Sequence, residues 1–207
     1  METTQLFNIV DAELIDKLIS YYYSHDTYES PGHMNKLAPG LSLKYIEKTI
    51  KDLYPNLEYV TGNFYKHNGP YLPHTDFKSY QNNKINMVIP LEYTGDLSHL
   101  IIFDQKWQSD SVTWCMNKPV KYFSYNTGVK GCPNEYPITG LTNRDIDDKL
   151  YSYFDTLYPK ECLFGMSGKA YPLIPGSIII FDNTSIHATG KMNGEKLGIS
   201  LRFKLIT

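Results

Sequence analysis

Ten residues near the C-terminus, KLGISLRFKL (196–205), constrain the fold more than any other stretch. Successive strand residues point to opposite faces of a sheet. Leu197, Ile199, Leu201 and Phe203 therefore share one face, and Lys196, Gly198, Ser200 and Arg202 share the other. One face suits a hydrophobic core. The other carries two cations and a hydroxyl. A strand of this kind calls for a sheet with a packed layer behind it.

Other segments agree. LEYVTGNFYKH (57–67), KINMVIPLEY (84–93), HLIIFDQ (99–105) and PGSIIIFDN (175–183) are short runs rich in β-formers, separated by turn residues. PVKYFSYN (119–126) reads as a further strand, and Asn193-Gly194 supplies a turn before the last one. The N-terminal third has a helical period instead. Asp11 can cap a helix carrying Leu14, Ile15, Leu18, Ile19 and Tyr22, and Ser42 can cap a second carrying Ile46, Ile50 and Leu53 and ending at Pro55. SPGHMNKLAPG (30–40) reads as the loop between them. A helical pattern returns over 143–159, with Ile146, Leu150, Tyr153 and Leu157 on one side. The expected fold class is mostly β with flanking helices, closed as a jelly roll. A length of 207 residues favours one domain, 1–207. Residues 1–56 would give helical support packed on one sheet, and 57–207 the barrel, with an insertion at about 104–173.

The net charge of −2 gives no field for a polyanion, which lowers the expectation of a nucleic-acid partner. Three well-separated cysteines, Cys115, Cys132 and Cys162, fit reduced thiols in a cytoplasm better than a disulfide framework. The N-terminal residues show no signal-peptide pattern, and no apolar run is long enough to span a membrane. Arginine occurs only at Arg144 and Arg202 in a chain rich in Lys, Asn, Ile and Tyr. That bias points to AT-rich coding DNA, as in a low-GC bacterium or a phage.

The chemistry-bearing stretch is YLPHTDFKSY (71–80). Of six histidines, only His74 has a carboxylate, Asp76, two residues on, where a strand would point both inward. His187 follows the apolar run SIIIFDN and is the best third ligand. His25, His33, His67 and His99 read as surface residues. The run Tyr21–Tyr23 reads as helix packing, while Trp107 and Trp114 could line a cleft or a small core. Two imidazoles and one carboxylate on one face of a metal leave the opposite face open, an arrangement suited to Fe(II) and O2. Zn, Mn or Ni would also fit these donors.

The ordered set of N-F-Y (63–65), H-T-D (74–76), P-G-S-I-I-I-F-D (175–182) leading to His187, and K-L-G-I-S-L-R (196–202) resembles the Fe(II)/2-oxoglutarate-dependent dioxygenases. The resemblance implies a double-stranded β-helix, a cupin-like jelly roll. It implies Fe(II) held by His74, Asp76 and His187, and 2-oxoglutarate and O2 as cosubstrates. The implied reaction is substrate hydroxylation with release of succinate and CO2. Lys196 and Arg202 compete as the anchor for the distal carboxylate of 2-oxoglutarate, with Ser200 or Tyr65 adding a hydrogen bond. Asn63 and Tyr65 match a pattern that contacts the cosubstrate in the nucleic-acid demethylase branch. The lysine position resembles prolyl hydroxylases and suggests a peptide, an amino acid or another small molecule as substrate. The N-x-Y and K…R features suggest a nucleobase instead. A jelly-roll isomerase or hydrolase that needs no cosubstrate is the other enzymatic reading, and a non-catalytic binding module a third. Nothing in the sequence fixes an oligomeric state.

Overall fold

The structure is a computed structural model that describes residues 2–25, 28–30, 33–36, 41–76, 85–107, 138–154 and 159–206. In chain order its elements are β1 (Thr4–Leu6), α1 (Ala12–Tyr23), β2 (Tyr28–Ser30), β3 (His33–Lys36), α2 (Leu41–Leu53), β4 (Leu57–His67), β5 (Tyr71–His74), β6 (Ile85–Tyr93) and β7 (His99–Trp107). They continue with β8 (Ile138–Thr139), α3 (Asp148–Tyr151), a 3-10 turn (Lys160–Leu163), β9 (Gly168–Pro172), β10 (Ile178–Asp182), β11 (Ser185–Thr189) and β12 (Lys196–Leu205).

Two sheets form. The larger runs β1-β10-β6-β12-β4-β3-β2; the smaller runs β5-β11-β7-β8, with β9 also on β7. From β4 onward the chain passes back and forth between them: β4, β6, β10 and β12 belong to the large sheet, and β5, β7 with its neighbours β8 and β9, and β11 to the small one. This is the strand order of a double-stranded β-helix. The C-terminal strand β12 sits mid-sheet, paired antiparallel to β4 on one side and β6 on the other.

Alternation explains how the layers hold together. Leu197, Ile199, Leu201 and Phe203 of β12, with Met87 and Ile89 of β6, face outward and pack against Leu18 and Tyr22 of α1 and Ile46 and Ile50 of α2. Val88, Ile179 and Phe181 face inward and meet Leu100 and Ile102 of β7 between the sheets. The intervening β7 residues, Ile101 and Phe103, pack on the far side against Ile146, Leu150 and Phe154. Burying a side chain such as Leu18, fully enclosed here, contributes about 1.5–3 kcal/mol. Asp11 caps α1 as its position predicts, accepting from the Leu14 amide at 2.8 Å.

Some expectations change. Helix α2 begins at Leu41, so Ser42 lies inside its first turn and not before it. The stretch expected as a loop contributes β3, which pairs with β2 and extends the large sheet beside β4, because that edge would otherwise leave backbone groups unpaired. The N-terminal 56 residues thus supply strands as well as helices. Helix α3 spans only Asp148–Tyr151 of the helical pattern. Trp107 is buried in the outer core of the small sheet and does not line a cleft. The Tyr21–Tyr23 run does pack as helix surface, with Tyr22 in the core. PVKYFSYN, Leu157, Trp114, Cys115 and Cys132 lie outside the described residues. Among the described residues, no helix is long and apolar enough to cross a membrane.

Candidate functional site

Between the sheets lies a cavity of about 500 Å³, lined by residues of β4, β6, β7, β11 and β12 and by the end of β5. Residues two apart on β4 and β12 face it, as the pleat requires: Asn63, Tyr65 and His67 from one, and Lys196, Ser200 and Arg202 from the other. His74, Asp76 and His187 line it too. All eight residues singled out from the sequence therefore reach one space.

At one end three donors converge. His74 and His187 are register partners on β5 and β11, with ring centroids 4.1 Å apart. Asp76 lies two residues beyond the end of β5, so its approach comes from the chain leaving the sheet and not from a shared strand face. Its Oδ1 is 3.8 Å from His74 Nε2, and its Oδ2 is 3.6 Å from His187 Nε2. One ligand atom from each residue lies within 4.8 Å of the other two, a spacing that can hold a metal ion. The buried His187 has its Nδ1 3.1 Å from the Ser185 carbonyl, so Nδ1 carries the proton and the Nε2 lone pair faces Asp76. Burial also pushes the pKa of His187 down, which keeps the ring in the neutral, ligating form.

Asp76 is held from the large sheet. Arg202 Nη2 lies 3.1 Å from Oδ2, and Asn86 Nδ2 donates to the same oxygen at 3.3 Å. Burial opposes ionisation of Asp76. The Arg202 charge, followed by the two imidazoles, more than offsets it, so the carboxylate stays well below its usual pKa range.

The other end differs. Lys196 is 3 % exposed, and its ammonium reaches Thr189 Oγ1 at 3.3 Å and lies 5.3 Å from the Tyr65 ring centroid. No carboxylate of the described residues pairs with it. Burial pushes its pKa down to about 7. The Tyr65 hydroxyl is buried with no hydrogen-bond partner, and burial raises the pKa of the phenol. Tyr65 sits opposite Gly198, where a Cβ would lie 2.4 Å from the hydroxyl. A glycine within β12 thus makes room for the ring. An uncompensated cation beside an unsatisfied hydroxyl is costly unless an anion completes it.

The sequence reading missed several lining residues. His67, expected at the surface, lines the cavity, as do Tyr71, Leu100 and Thr189. Asn86 is a lone polar residue inside the apolar run INMVIPL, and that interruption was its signal. His25 is exposed, and His99 is half-buried against Tyr153.

No protein-family model matches the chain, and no curated protein matches it in sequence. Solved structures do. A prolyl-4-hydroxylase from Pseudomonas putida superimposes with a TM-score of 0.52 at 10% identity, over 99% of this chain and 93% of that one. A Trichoplax adhaerens prolyl hydroxylase, in complex with a peptide fragment of the hypoxia inducible factor oxygen degradation domain, gives 0.52 at 8% identity, over 98% and 83%. HygX from Streptomyces hygroscopicus, with nickel, 2-oxoglutarate and hygromycin B bound, gives 0.52 at 10% identity, over 98% and 82%. The chain has the fold of these proteins, the double-stranded β-helix that the family resemblance implied.

Proposed function

We propose that this protein is an Fe(II)- and 2-oxoglutarate-dependent oxygenase that hydroxylates a small molecule or peptide, releasing succinate and CO2. The observation that carries the reading is the pairing of unlike ends in one cavity. Three candidate ligating groups meet at one end, and a buried lysine without an acidic partner among the described residues lies at the other. A cosubstrate that chelates a metal through one end and presents a carboxylate at the other would complete both.

The residues fit those groups. Two neutral imidazoles and a carboxylate are the donors Fe(II) takes in such sites. His74, Asp76 and His187 would hold the metal, with Ser185 fixing the His187 tautomer and Arg202 orienting Asp76. Bound metal and 2-oxoglutarate would supply the oxidising chemistry. Lys196 would receive the distal carboxylate, and the Tyr65 hydroxyl would donate to it. Asn63 and Ser200 line the wall between the two ends. Arg202 ranks below Lys196 as the anchor because its charge is engaged by Asp76. The net charge of −2 favours a small molecule or peptide over nucleic acid. Proteins of like fold carry a peptide fragment in one case and hygromycin B in another.

The test is stepwise. Anaerobic titration of the Fe(II)-loaded protein with 2-oxoglutarate should develop the visible charge-transfer band of the chelate, and O2 should then release succinate. Metal binding without any 2-oxoglutarate response would point to a cosubstrate-free metalloenzyme.

A further inference from the structure

Asn86 lies on β6 in the middle of the large sheet, in register with Arg202 on one side and Phe181 on the other. It is 0 % exposed. Its neighbours along the strand, Ile85 and Met87, turn outward into the helix-covered core, while Asn86 turns inward beneath the candidate centre. Its amide has one side-chain partner among the described residues, Asp76 Oδ2, and its own Oδ1 is buried with no hydrogen-bond partner. A buried amide whose oxygen goes unsatisfied weakens a fold, and an apolar residue of the same shape would serve the sheet better. Val88, two residues along β6, and Phe181, across from it on β10, are apolar and belong to the core between the sheets, while Arg202 flanks it on β12.

We infer that Asn86 is a positioning residue for the metal centre. Together with Arg202 it holds Asp76 by Oδ2, so that the carboxylate presents Oδ1 alone to the metal. This rests on the reading of His74, Asp76 and His187 as a metal centre. The geometry of Asp76 supports it. Arg202 and Asn86 both contact Oδ2, at 3.1 and 3.3 Å, with His187 Nε2 3.6 Å from the same oxygen, whereas Oδ1 accepts from neither donor and faces His74 Nε2 at 3.8 Å. A carboxylate with one oxygen engaged by two donors from the same sheet cannot swing to bind a metal through both oxygens without giving up those bonds. Arg202 alone would leave the carboxylate free to pivot about a single contact. The second donor fixes the plane.

The experiment compares wild type with Asn86→Leu, which keeps shape and removes the amide, and with Asn86→Ser, a smaller polar change. Three quantities are read: melting temperature without metal, Ni(II) affinity by calorimetry, and the visible charge-transfer band of the anaerobic Fe(II)–2-oxoglutarate complex. The expected result is a metal-free melting temperature unchanged or raised in Asn86→Leu. Ni(II) affinity should fall about 10- to 100-fold, the usual cost of losing a group that orients a ligand. The charge-transfer band should shift because the carboxylate is no longer held in one orientation. Wild-type Ni(II) affinity and an unshifted band in both variants would overturn the inference while leaving the metal centre intact. So would a fall in metal-free melting temperature in both variants that accounts for the weaker binding, since that marks a structural role. If wild type itself binds no metal, the reading of the centre fails, and the role of Asn86 fails with it.

Discussion

The two ends of the cavity each contain one cation from β12, and the two cations are in opposite states. Arg202 is partly solvated and lies 3.1 Å from the carboxylate of Asp76. Lys196 is almost fully buried, with only a hydroxyl and an aromatic ring near its ammonium among the described residues. A paired charge is already stabilised by the protein. An unpaired one is a cost that the ligand-free protein carries and that a bound anion would relieve. The contrast separates two residues that strand alternation treats as equivalent. Arg202 is engaged by Asp76 at one end, and Lys196 at the other has no acidic partner among the described residues.

The largest expected effect comes from breaking the ligating end. Asp76→Ala should abolish Fe(II) retention and 2-oxoglutarate decarboxylation together, because it removes a ligand and leaves Arg202 unpaired. Metal content after desalting and succinate release are the two measurements. Decarboxylation at the wild-type rate would remove Asp76 from the ligand set.

A second test sets the two cations against each other. Lys196→Met should weaken 2-oxoglutarate binding by about 2–5 kcal/mol, as for one partner of a buried charge pair. That is roughly 30-fold or more in affinity, while Fe(II) binding persists. The same variant should melt at a higher temperature without ligand, since it removes a buried uncompensated charge. Arg202→Met should not melt higher, because its charge is already paired. The sign of the pH dependence follows from Lys196. Burial lowers its pKa to about 7, so above that pH the free protein holds a neutral amine. Binding a carboxylate there must take up a proton, and affinity should fall by up to about tenfold per pH unit above 7. Calorimetry in buffers of different ionisation enthalpy measures that uptake directly. No uptake above pH 7 would place the anchor elsewhere.

The smallest effect belongs to Tyr65. Tyr65→Phe removes a hydroxyl that has no partner in the free protein. It should leave stability unchanged or slightly higher and lower 2-oxoglutarate affinity by about 0.5–1.5 kcal/mol, the net value of one hydrogen bond. A large drop in stability would mean that the hydroxyl supports the fold.

The order of the barrel strands was largely legible because period-2 alternation is a local property. β4 and β12 run over the residues the sequence suggests, and β6, β7 and β10 lie within or close to their segments. Strand β11, SIHAT, has no such signal. It is five residues long and buried throughout, so alternation of polarity does not mark it. His187 could be placed after an apolar run but not on a strand of its own. The hairpin β2–β3 was hidden for another reason: its short strands extend the sheet by pairing with β4, a contact distant in sequence.

By itself the sequence determined which side chains share a face: Lys196, Ser200 and Arg202 together, and Asn63 and Tyr65 together. That follows from the pleat, which is fixed wherever a strand forms. Only the tertiary structure decided what each of them meets. Asp76 reaches Arg202 across the barrel, Tyr65 crosses Gly198 on a neighbouring strand, and Asn86 points at Asp76 from the sheet beneath. These contacts depend on strand order and register, and those are set by how two sheets close over one core. A local pattern carries no record of them.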